Sequence, residues 1–179
     1  TTLSKRSSKL TKCNKSDQRK ACGMSLDPGQ PAPDFSLPAD DGSTVSLGAL
    51  KGKPVVVYFY PKDDTPGCTI EAKDFTTLGS EFAKAKAIVI GISPDSVADH
   101  CKFRDKFALT VPLLADVGAR VTKKYGLWQL KKLWGVEYMG LVRTSFLVAP
   151  SGKLAGIFRA TRIRDHAAKV LEATRALVG

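Results

Sequence analysis

A buried strand followed by a proline-containing turn and a cysteine constrains this 179-residue chain more than any other feature. Residues 54–60 are mostly β-branched or aromatic, which predicts a strand covered on both faces. Thr65 suits a helix N-cap, Pro66 suits the first helical position, and apolar residues follow at helical spacing. Cys68 is therefore predicted to lie in the first turn of a helix that begins just after a core strand.

The first turn of a helix favours a thiolate. Backbone N–H groups there have no intrahelical acceptors, and the positive end of the helix dipole lies beside them. Both effects stabilise the charged, nucleophilic form of a cysteine placed as Cys68 is. The alternative is that Cys68 is a small buried apolar side chain. The Pro66-Gly67 pair before it and the helix start around it favour a reactive thiol.

Length and composition indicate one globular domain with a tail. Hydrophobic residues make up 43% of the chain and charged residues 25%, enough for a full core without disulfides. The cysteines, Cys13, Cys22, Cys68 and Cys101, form neither a CxxC pair nor a zinc-binding pattern, which indicates a reducing compartment and redox use of at least one thiol. We expect no metal, flavin or haem cofactor. The apolar runs are of strand length, so neither a transmembrane helix nor a secretory signal is predicted.

Residues 1–25 are predicted to form a flexible basic arm, and residues 26–179 the folded domain. The arm holds seven lysines and arginines and a single acid, with almost no large apolar side chains. Arms of this kind contact nucleic acid, direct a protein to the nucleus or remain from a transit peptide. The plainer interpretation is sequence upstream of a native start at Met24. We expect a cytoplasmic protein, or an organellar or nuclear one if the arm is native.

Strands and helices alternate after residue 30. A hairpin is predicted within residues 34–47. The predicted strands are 55–60, 87–92 and 110–114, with a second hairpin from 144–149 and 154–159, and the predicted helices are 66–84, one that opens at 93–95, 119–125 and 164–177. This order predicts an α/β fold with a central mixed sheet flanked by helices and an N-terminal β-hairpin.

The segment from Asp63 to Thr69, together with Glu71, resembles the active-site loop of the peroxiredoxins. The resemblance is to the peroxiredoxin Q or bacterioferritin comigratory protein subfamily and covers about residues 26–179. Further matching motifs, in the expected order, are Pro31-Ala-Pro-Asp-Phe-Ser-Leu37, Gly91-Ile-Ser-Pro-Asp95, Pro112-Leu-Leu-Ala-Asp116, Lys124-Tyr-Gly126 and Tyr138-Met-Gly-Leu-Val-Arg143-Thr-Ser-Phe-Leu147. The resemblance implies a thioredoxin-like fold and a thiol-dependent peroxidase that reduces hydrogen peroxide and organic hydroperoxides.

The same resemblance implies roles for individual side chains. Cys68 would be the peroxidatic nucleophile, which becomes a sulfenic acid when it attacks an oxygen of the peroxide. Thr65 would accept the Cys68 N–H as an N-cap and point its hydroxyl proton at the thiolate or the peroxide. Arg143 would stabilise the thiolate and the developing negative charge, and Glu71 would hold the guanidinium. Pro61 would shape the loop.

Turnover needs a second thiol, and many members of the subfamily carry it five residues after the nucleophile, where this chain has Lys73. Others carry it on the helix after the second core strand, where Cys101 lies three residues before the aligned position, Arg104. Three helical residues turn a side chain by about 60° and shift it by about 4.5 Å, so the two positions share a similar face. Cys101 is therefore the expected resolving cysteine. The first turn around Cys68 is expected to unwind before a disulfide closes.

The alternative is that Cys101 is a buried core thiol, and that an external thiol such as glutathione resolves a one-cysteine enzyme. In the leading interpretation, the partners are a peroxide substrate and thioredoxin or a similar dithiol reductant. The protein is expected to be a monomer that binds neither membranes nor nucleic acid. A hypothesis of another class is a redox relay whose basic arm engages nucleic acid. A thioredoxin-type disulfide reductase would need the CxxC pair that the chain lacks.

Three aromatic residues and one histidine are assigned structural roles. Trp128, Trp134 and Tyr138 are expected to pack around the pocket instead of stacking on a nucleotide. His100 is expected to be a solvated helix residue without a catalytic role, because the helix dipole and Arg143 already account for activation of the thiol.

Overall fold

The computed structural model describes residues 26–179, which form a mixed five-stranded sheet, two small hairpins and flanking helices. The basic arm predicted for residues 1–25, with Cys13 and Cys22, lies outside the described residues. The strands are β1 (Ser36–Pro38), β2 (Thr44–Ser46), β3 (Val55–Phe59), β4 (Ile88–Ser93), β5 (Leu113–Ala115), β6 (Trp128–Leu133), β7 (Val136–Leu141), β8 (Thr144–Val148) and β9 (Leu154–Arg159). The helices are α1 (Pro66–Thr77), α2 (Gly79–Lys84), α3 (Val97–Phe107), α4 (Arg120–Lys124) and α5 (His166–Val178), with a short 3-10 helix at Leu47–Leu50. Among these residues, none of the helices has the length and apolar character needed to cross a bilayer.

The central sheet has the strand order β5-β4-β3-β8-β9. β3, β4 and β5 run parallel to one another, whereas β8 lies antiparallel to both β3 and β9. β1 and β2 form the predicted N-terminal hairpin, and a bridge between Ala39 and Leu114 attaches its connection to β5. The predicted central mixed sheet and N-terminal hairpin are therefore confirmed.

β3 is buried along its whole length, as its composition predicts. Val57 and Phe59 pack on one face of the sheet, in a core shared with the β1–β2 hairpin and α4. Val56 and Tyr58 pack on the other face, in a core shared with α1, α2, α3 and α5. Because successive side chains of a strand point to opposite faces, β3 is anchored in both cores. The loop that follows it, which leads to Cys68, therefore starts from a rigid support.

The helix predicted over residues 66–84 is two helices, so this prediction was wrong. α1 ends at Thr77 and α2 begins at Gly79, with Leu78 between them. Thr76, Thr77 and Gly79 are weak helix formers, and their proximity lowers the stability of a continuous helix at this point. The helix that carries Cys68 is consequently only 12 residues long.

β6 and β7 form a further hairpin, over residues 128–141, which the sequence pattern did not predict. Its two-residue turn is Trp134-Gly135, with positive φ angles of 51° and 81°. Positive φ at both positions is characteristic of a type I′ turn, where Asn-Gly and Asp-Gly are the usual sequences. Trp-Gly carries no such signal, and Lys131 and Lys132 interrupt the apolar pattern of β6.

The β6–β7 hairpin exposes aromatic side chains. Trp134 is 94% exposed and Tyr138 is 44% exposed, so the expectation that they pack around the pocket was wrong. Trp128 does pack against the core, because it pairs with the buried Leu141 at the base of the hairpin. Trp128 is covered because it lies at the base of the hairpin, whereas Trp134 lies in its turn. The sequence did not predict these positions.

Candidate active site

Cys68 lies at the N-terminal end of α1, as the sequence predicts. Pro66 is the first helical residue and Thr65 has the extended backbone of an N-cap, so Cys68 belongs to the turn whose N–H groups lack intrahelical acceptors. Its side chain is only 1% exposed and packs in the core that α1 and α5 share. Cys68 thus combines burial in the core with a place at the positive end of the α1 dipole, which favours negative charge.

Arg143 lies between β7 and β8, and its guanidinium contacts Cys68. Nη2 donates to the Cys68 sulfur at 3.0 Å, and Nη1 donates to Glu71 Oε2. Because Glu71 follows Cys68 by three residues on α1, both groups lie on one side of the helix and a single guanidinium binds both. A permanent cation against the sulfur favours the thiolate and any negative charge that develops on a bound oxygen.

Glu71 is almost completely buried, and its Oε1 has no hydrogen-bond partner among the described residues. Burial raises the pKa of Glu71 to about 7, although the Arg143 guanidinium opposes this shift. The nearest ring is that of His166, whose Nε2 lies 3.8 Å from Glu71 Oε1 and 2.8 Å from Ser145 Oγ. Burial and the charge of Arg143 lower the pKa of His166. Glu71 therefore titrates near neutral pH, beside a histidine whose pKa lies below its ordinary value.

Replacing Glu71 with glutamine is expected to flatten the dependence of stability on pH. The folded-state pKa of Glu71 lies above its ordinary value of 4.5, so its contribution to stability is complete below pH 4.5 and is lost as the pH rises through about 7. Between about pH 5 and pH 8, the wild type should lose up to about 3 kcal/mol of unfolding free energy relative to Glu71→Gln. Urea unfolding at both pH values measures this difference.

Glu81→Gln is the matched control for that measurement. Glu81 is a partly exposed carboxylate paired with Lys84 and Arg175, and its hydrogen bonds with Lys84 lower its pKa. It stays ionised over the pH interval, so its replacement should leave the slope of stability against pH unchanged. Parallel pH curves for the wild type and Glu71→Gln would contradict the raised pKa of Glu71.

Thr65 occupies the N-cap position, but its side chain does not cap the helix. The predicted hydrogen bond from the Cys68 N–H to the Thr65 hydroxyl is therefore not formed. The hydroxyl instead donates to the Lys62 carbonyl at 3.2 Å, which satisfies it within the loop. Pro61 is exposed two residues after the end of β3, and as a residue without an N–H it cannot continue the pairing that the Tyr60 N–H makes with the Ile92 carbonyl. What Thr65 and Pro61 do toward a peroxide stays a prediction.

Known proteins resemble this chain over most of its length. Residues 28–157 match the AhpC/TSA family. Peroxiredoxin Bcp of Bacillus subtilis is 45% identical over 149 residues, which cover 83% of this chain and 95% of that protein. The chain belongs to the peroxiredoxin family. Peroxiredoxin Bcp of Xanthomonas campestris is 38% identical over 148 residues, which cover 82% of this peroxiredoxin and 92% of the relative.

Solved structures match the fold of this peroxiredoxin. The bacterioferritin comigratory protein of Xanthomonas campestris, solved as trapped intermediate and ligand complexes in work on alkyl peroxide reduction, has a TM-score of 0.80 at 34% identity. The match covers 86% of this chain and 100% of that one. BcpB of Mycobacterium tuberculosis has a TM-score of 0.76 at 34% identity, over 86% of this chain and 99% of that one. The predicted thioredoxin-like fold and the enzyme class, a thiol peroxidase, are confirmed.

A buried polar network behind the active-site loop was not predicted. Asp63 binds both the Tyr60 hydroxyl and the His100 ring, at 2.7 Å each. His100 is fully buried, so the expectation that it is solvated was wrong. Its spacing of three residues from the buried Phe103 places it on the inner face of α3, and this spacing was the available signal. Among the described residues, no group of three His, Cys, Asp or Glu side chains is arranged to hold a metal ion.

Cys101 is half-buried on α3, and its thiol donates to the Asp40 carbonyl at 3.0 Å. Arg104 Nη1 donates to the same oxygen at 3.1 Å, so Cys101 and Arg104 share a face of α3, as helical spacing predicts. Asp40 is hydrogen-bonded to Leu113 of the edge strand β5, whereas Arg143, which contacts Cys68, directly precedes β8. β4 and β3 lie between those two strands, so the two thiols, both free, occupy different parts of the molecule.

Proposed function

We propose that Cys68 is the peroxidatic thiol of this peroxiredoxin, that it reduces hydrogen peroxide and organic hydroperoxides, and that Cys101 resolves the oxidised form. The observation that carries the proposal is the contact between Arg143 Nη2 and the buried Cys68 sulfur at 3.0 Å, at a helix N-terminus. A cysteine that served only as a small apolar side chain would not need a guanidinium aimed at its sulfur.

The first step is a nucleophilic displacement on oxygen. The Cys68 thiolate attacks one oxygen of the peroxide, a sulfur–oxygen bond forms and the O–O bond breaks. Sulfur is oxidised by two electrons to a sulfenic acid, the peroxide is reduced, and the second oxygen leaves as hydroxide or alkoxide. Protonation of that oxygen gives water or an alcohol.

Arg143 supports this step through the charge that moves from sulfur to oxygen. Its Nη2 already contacts the sulfur, so it can stabilise the thiolate before attack and the oxygen that carries negative charge during attack. Glu71 fixes the other arm of the guanidinium and so limits the positions it adopts. Thr65, the N-cap residue of α1, is proposed to turn its hydroxyl from the Lys62 carbonyl toward a bound peroxide. Pro61 is proposed to shape the loop.

In the second step, the Cys101 thiol attacks the Cys68 sulfenic sulfur. A disulfide forms between Cys68 and Cys101, and the sulfenic oxygen leaves as water. Thioredoxin or a similar dithiol protein then reduces the disulfide by exchange and becomes oxidised itself. Support for Cys101 comes from its position on the same face of α3 as Arg104, and from its free, half-buried thiol.

A one-cysteine enzyme is the second candidate, and the contacts of Cys101 favour it. The thiol is bound to the Asp40 carbonyl beside β5, with β4 and β3 between it and the strand that follows Arg143. A small external thiol such as glutathione would resolve the sulfenic acid of Cys68 without bringing α1 and α3 together, once the buried Cys68 becomes accessible.

Treatment of the reduced full chain with one equivalent of peroxide separates the two candidates. We expect peptide mass spectrometry to find a Cys68–Cys101 disulfide, and Cys101→Ser to retain the first turnover while its steady-state rate with thioredoxin falls by about tenfold or more. A stable Cys68 sulfenic acid with Cys101 still free would favour the one-cysteine enzyme.

Cys13 and Cys22 supply the control in the same experiment. If Cys101 is the resolving residue, serine at both of these positions should leave the disulfide yield unchanged. A disulfide from Cys68 to either of them would overturn the role of Cys101 and assign a redox function to the basic arm.

The remaining proposals concern organisation. Residues 26–179 are proposed to be the catalytic domain, since Cys68, Arg143 and Glu71 all come from this one segment. The complete set within a single chain is compatible with a monomer. A reducing compartment such as the cytoplasm is proposed because Cys68 and Cys101 are both free.

A further inference from the structure

A buried hydrogen bond joins the two segments that carry the cysteines. His100 on α3 directly precedes Cys101, and Asp63 lies in the loop that leads from β3 to Cys68. His100 Nδ1 donates to Asp63 Oδ2 at 2.7 Å. The His100 side chain is completely buried and that of Asp63 is 7% exposed, so water does not compete for this bond.

Asp63 is also bonded to the ends of two core strands. Its Oδ1 accepts the Tyr60 hydroxyl at 2.7 Å, and its backbone N–H donates to Asp95 Oδ2 at 2.8 Å. That oxygen of Asp95 accepts the Ser93 hydroxyl at 2.7 Å as well. Opening one bond of such a network leaves buried polar groups unpaired, so the network resists opening as a unit.

Asp63 favours the protonated form of His100. Burial acts to lower the pKa of His100, but the hydrogen bond and the negative charge of Asp63 outweigh burial, and the pKa is raised. A hydrogen bond between an imidazolium and a carboxylate is stronger than one between neutral groups. The loop and α3 are therefore held together by a buried hydrogen bond that protonation of His100 strengthens.

Disulfide formation requires the loop and α3 to leave these positions. Cys68 contacts Arg143, which directly precedes β8, Cys101 contacts Asp40 beside β5, and two strands lie between β5 and β8. Both cysteines are free, so their sulfur atoms are further apart than the roughly 2 Å of an S–S bond. One segment or both must move, and the bond between Asp63 and His100 opposes that movement.

We propose that the Asp63–His100 pair positions the loop and α3 for peroxide reduction and delays their rearrangement, so that it sets the rate at which Cys101 resolves the Cys68 sulfenic acid. This inference rests on the proposed function of Cys101. Asp63 and His100 are positioning residues, because they act through the segments that carry the two thiols.

The delay has a chemical consequence for Cys68. As long as the sulfenic acid persists, a second peroxide can transfer an oxygen atom to it, which gives a sulfinic acid and releases water or an alcohol. Slower resolution therefore raises the fraction of Cys68 lost to the sulfinic acid at high peroxide concentration.

His100→Leu and His100→Asn form a matched pair of variants that tests the proposal. Leucine and asparagine have nearly the same shape, but only asparagine offers an N–H near the position of Nδ1. In rapid-quench mass spectrometry of the full chain, disulfide formation should be about tenfold faster in His100→Leu and should stay within about twofold of the wild type in His100→Asn. The yield of Cys68 sulfinic acid at high peroxide should fall only in the leucine variant.

A double-mutant cycle distinguishes loss of the Asp63–His100 hydrogen bond from a general destabilisation of α3. Asp63→Asn should also accelerate disulfide formation, and the double variant with His100→Leu should be no faster than either single variant. Ser96→Ala removes the N-cap of α3 without touching the pair, so its effect should add to that of Asp63→Asn.

Two results would overturn the inference, and they are distinguishable. If the wild type forms a Cys68–Cys101 disulfide and folded His100→Leu and Asp63→Asn form it no faster, the positioning role of the pair fails while the role of Cys101 stands. If the wild type forms no such disulfide, both fail. Circular dichroism of each variant establishes that it is folded, and Asp63→Asn, which is isosteric, provides the test if His100→Leu does not fold.

Discussion

Cys68→Ser is expected to abolish peroxide consumption, with a loss of about a thousandfold or more in the second-order rate constant. A serine hydroxyl stays protonated at neutral pH and is a poor nucleophile toward the O–O bond, whereas the thiolate is stabilised by Arg143 and the start of α1. Serine is close to cysteine in size, so the buried pocket should keep its packing. Loss of peroxide in the presence of thioredoxin and its reductase measures the effect.

Cys101→Ser is the control that separates the two thiols. It should still consume one equivalent of peroxide per chain, because attack by Cys68 does not require the second thiol. A Cys68→Ser protein that consumes peroxide above the uncatalysed background would show that another cysteine is the nucleophile. Thermal unfolding of both variants checks that neither loss of activity comes from loss of the fold.

Arg143→Gln is expected to lower the second-order rate constant for peroxide by about 100- to 1000-fold. Glutamine keeps a hydrogen-bond donor but removes the positive charge. The Cys68 thiolate and the leaving oxygen of the peroxide therefore lose the cation that stabilises them. The same substitution leaves Glu71, which is buried, without its ionic partner. Arg143→Lys should be intermediate, because an ammonium carries the charge but cannot contact Cys68 and Glu71 together in the fork geometry of a guanidinium.

Arg175→Gln is the matched control for Arg143→Gln. Arg175 also pairs with a glutamate, Glu81, but both side chains are partly exposed at the surface. Its replacement should leave the peroxidase rate unchanged and cost little stability, because exposed ion pairs contribute about 1 kcal/mol or less. Equal rates for Arg143→Gln and the wild type would contradict the assignment of Arg143 to the active site.

Local patterns predict the elements that place Cys68. The β-branched run of β3 and the Thr65-Pro66 helix start depend on neighbours in the sequence, so they can be recognised without tertiary information. The contact between Cys68 and Arg143 joins residues 75 positions apart. No periodicity indicates such a contact, and only the family resemblance led to it.

Features that depend on tertiary burial were missed or misjudged. His100 looked like a solvated residue because its partner Asp63 lies 37 positions away, and only the packed structure shows that a buried carboxylate accepts a hydrogen bond from Nδ1 of the ring. The raised pKa of Glu71 has the same origin, since burial cannot be read from composition. The Thr65 hydroxyl is turned toward the Lys62 carbonyl, to which it donates, and its oxygen does not accept a helix N–H.

The break at Leu78 limits how far a disturbance at Cys68 can spread. A helix of 12 residues is of marginal stability by itself, so α1 depends on its contacts with the core. α2 has separate anchors, the buried Phe82 and the link from Glu81 to Arg175 on α5. Leu78 therefore separates a short helix that depends on the core, α1, from a helix with its own anchors, α2. The first turn of α1, which carries Cys68, can fray while α2 keeps its contact with α5.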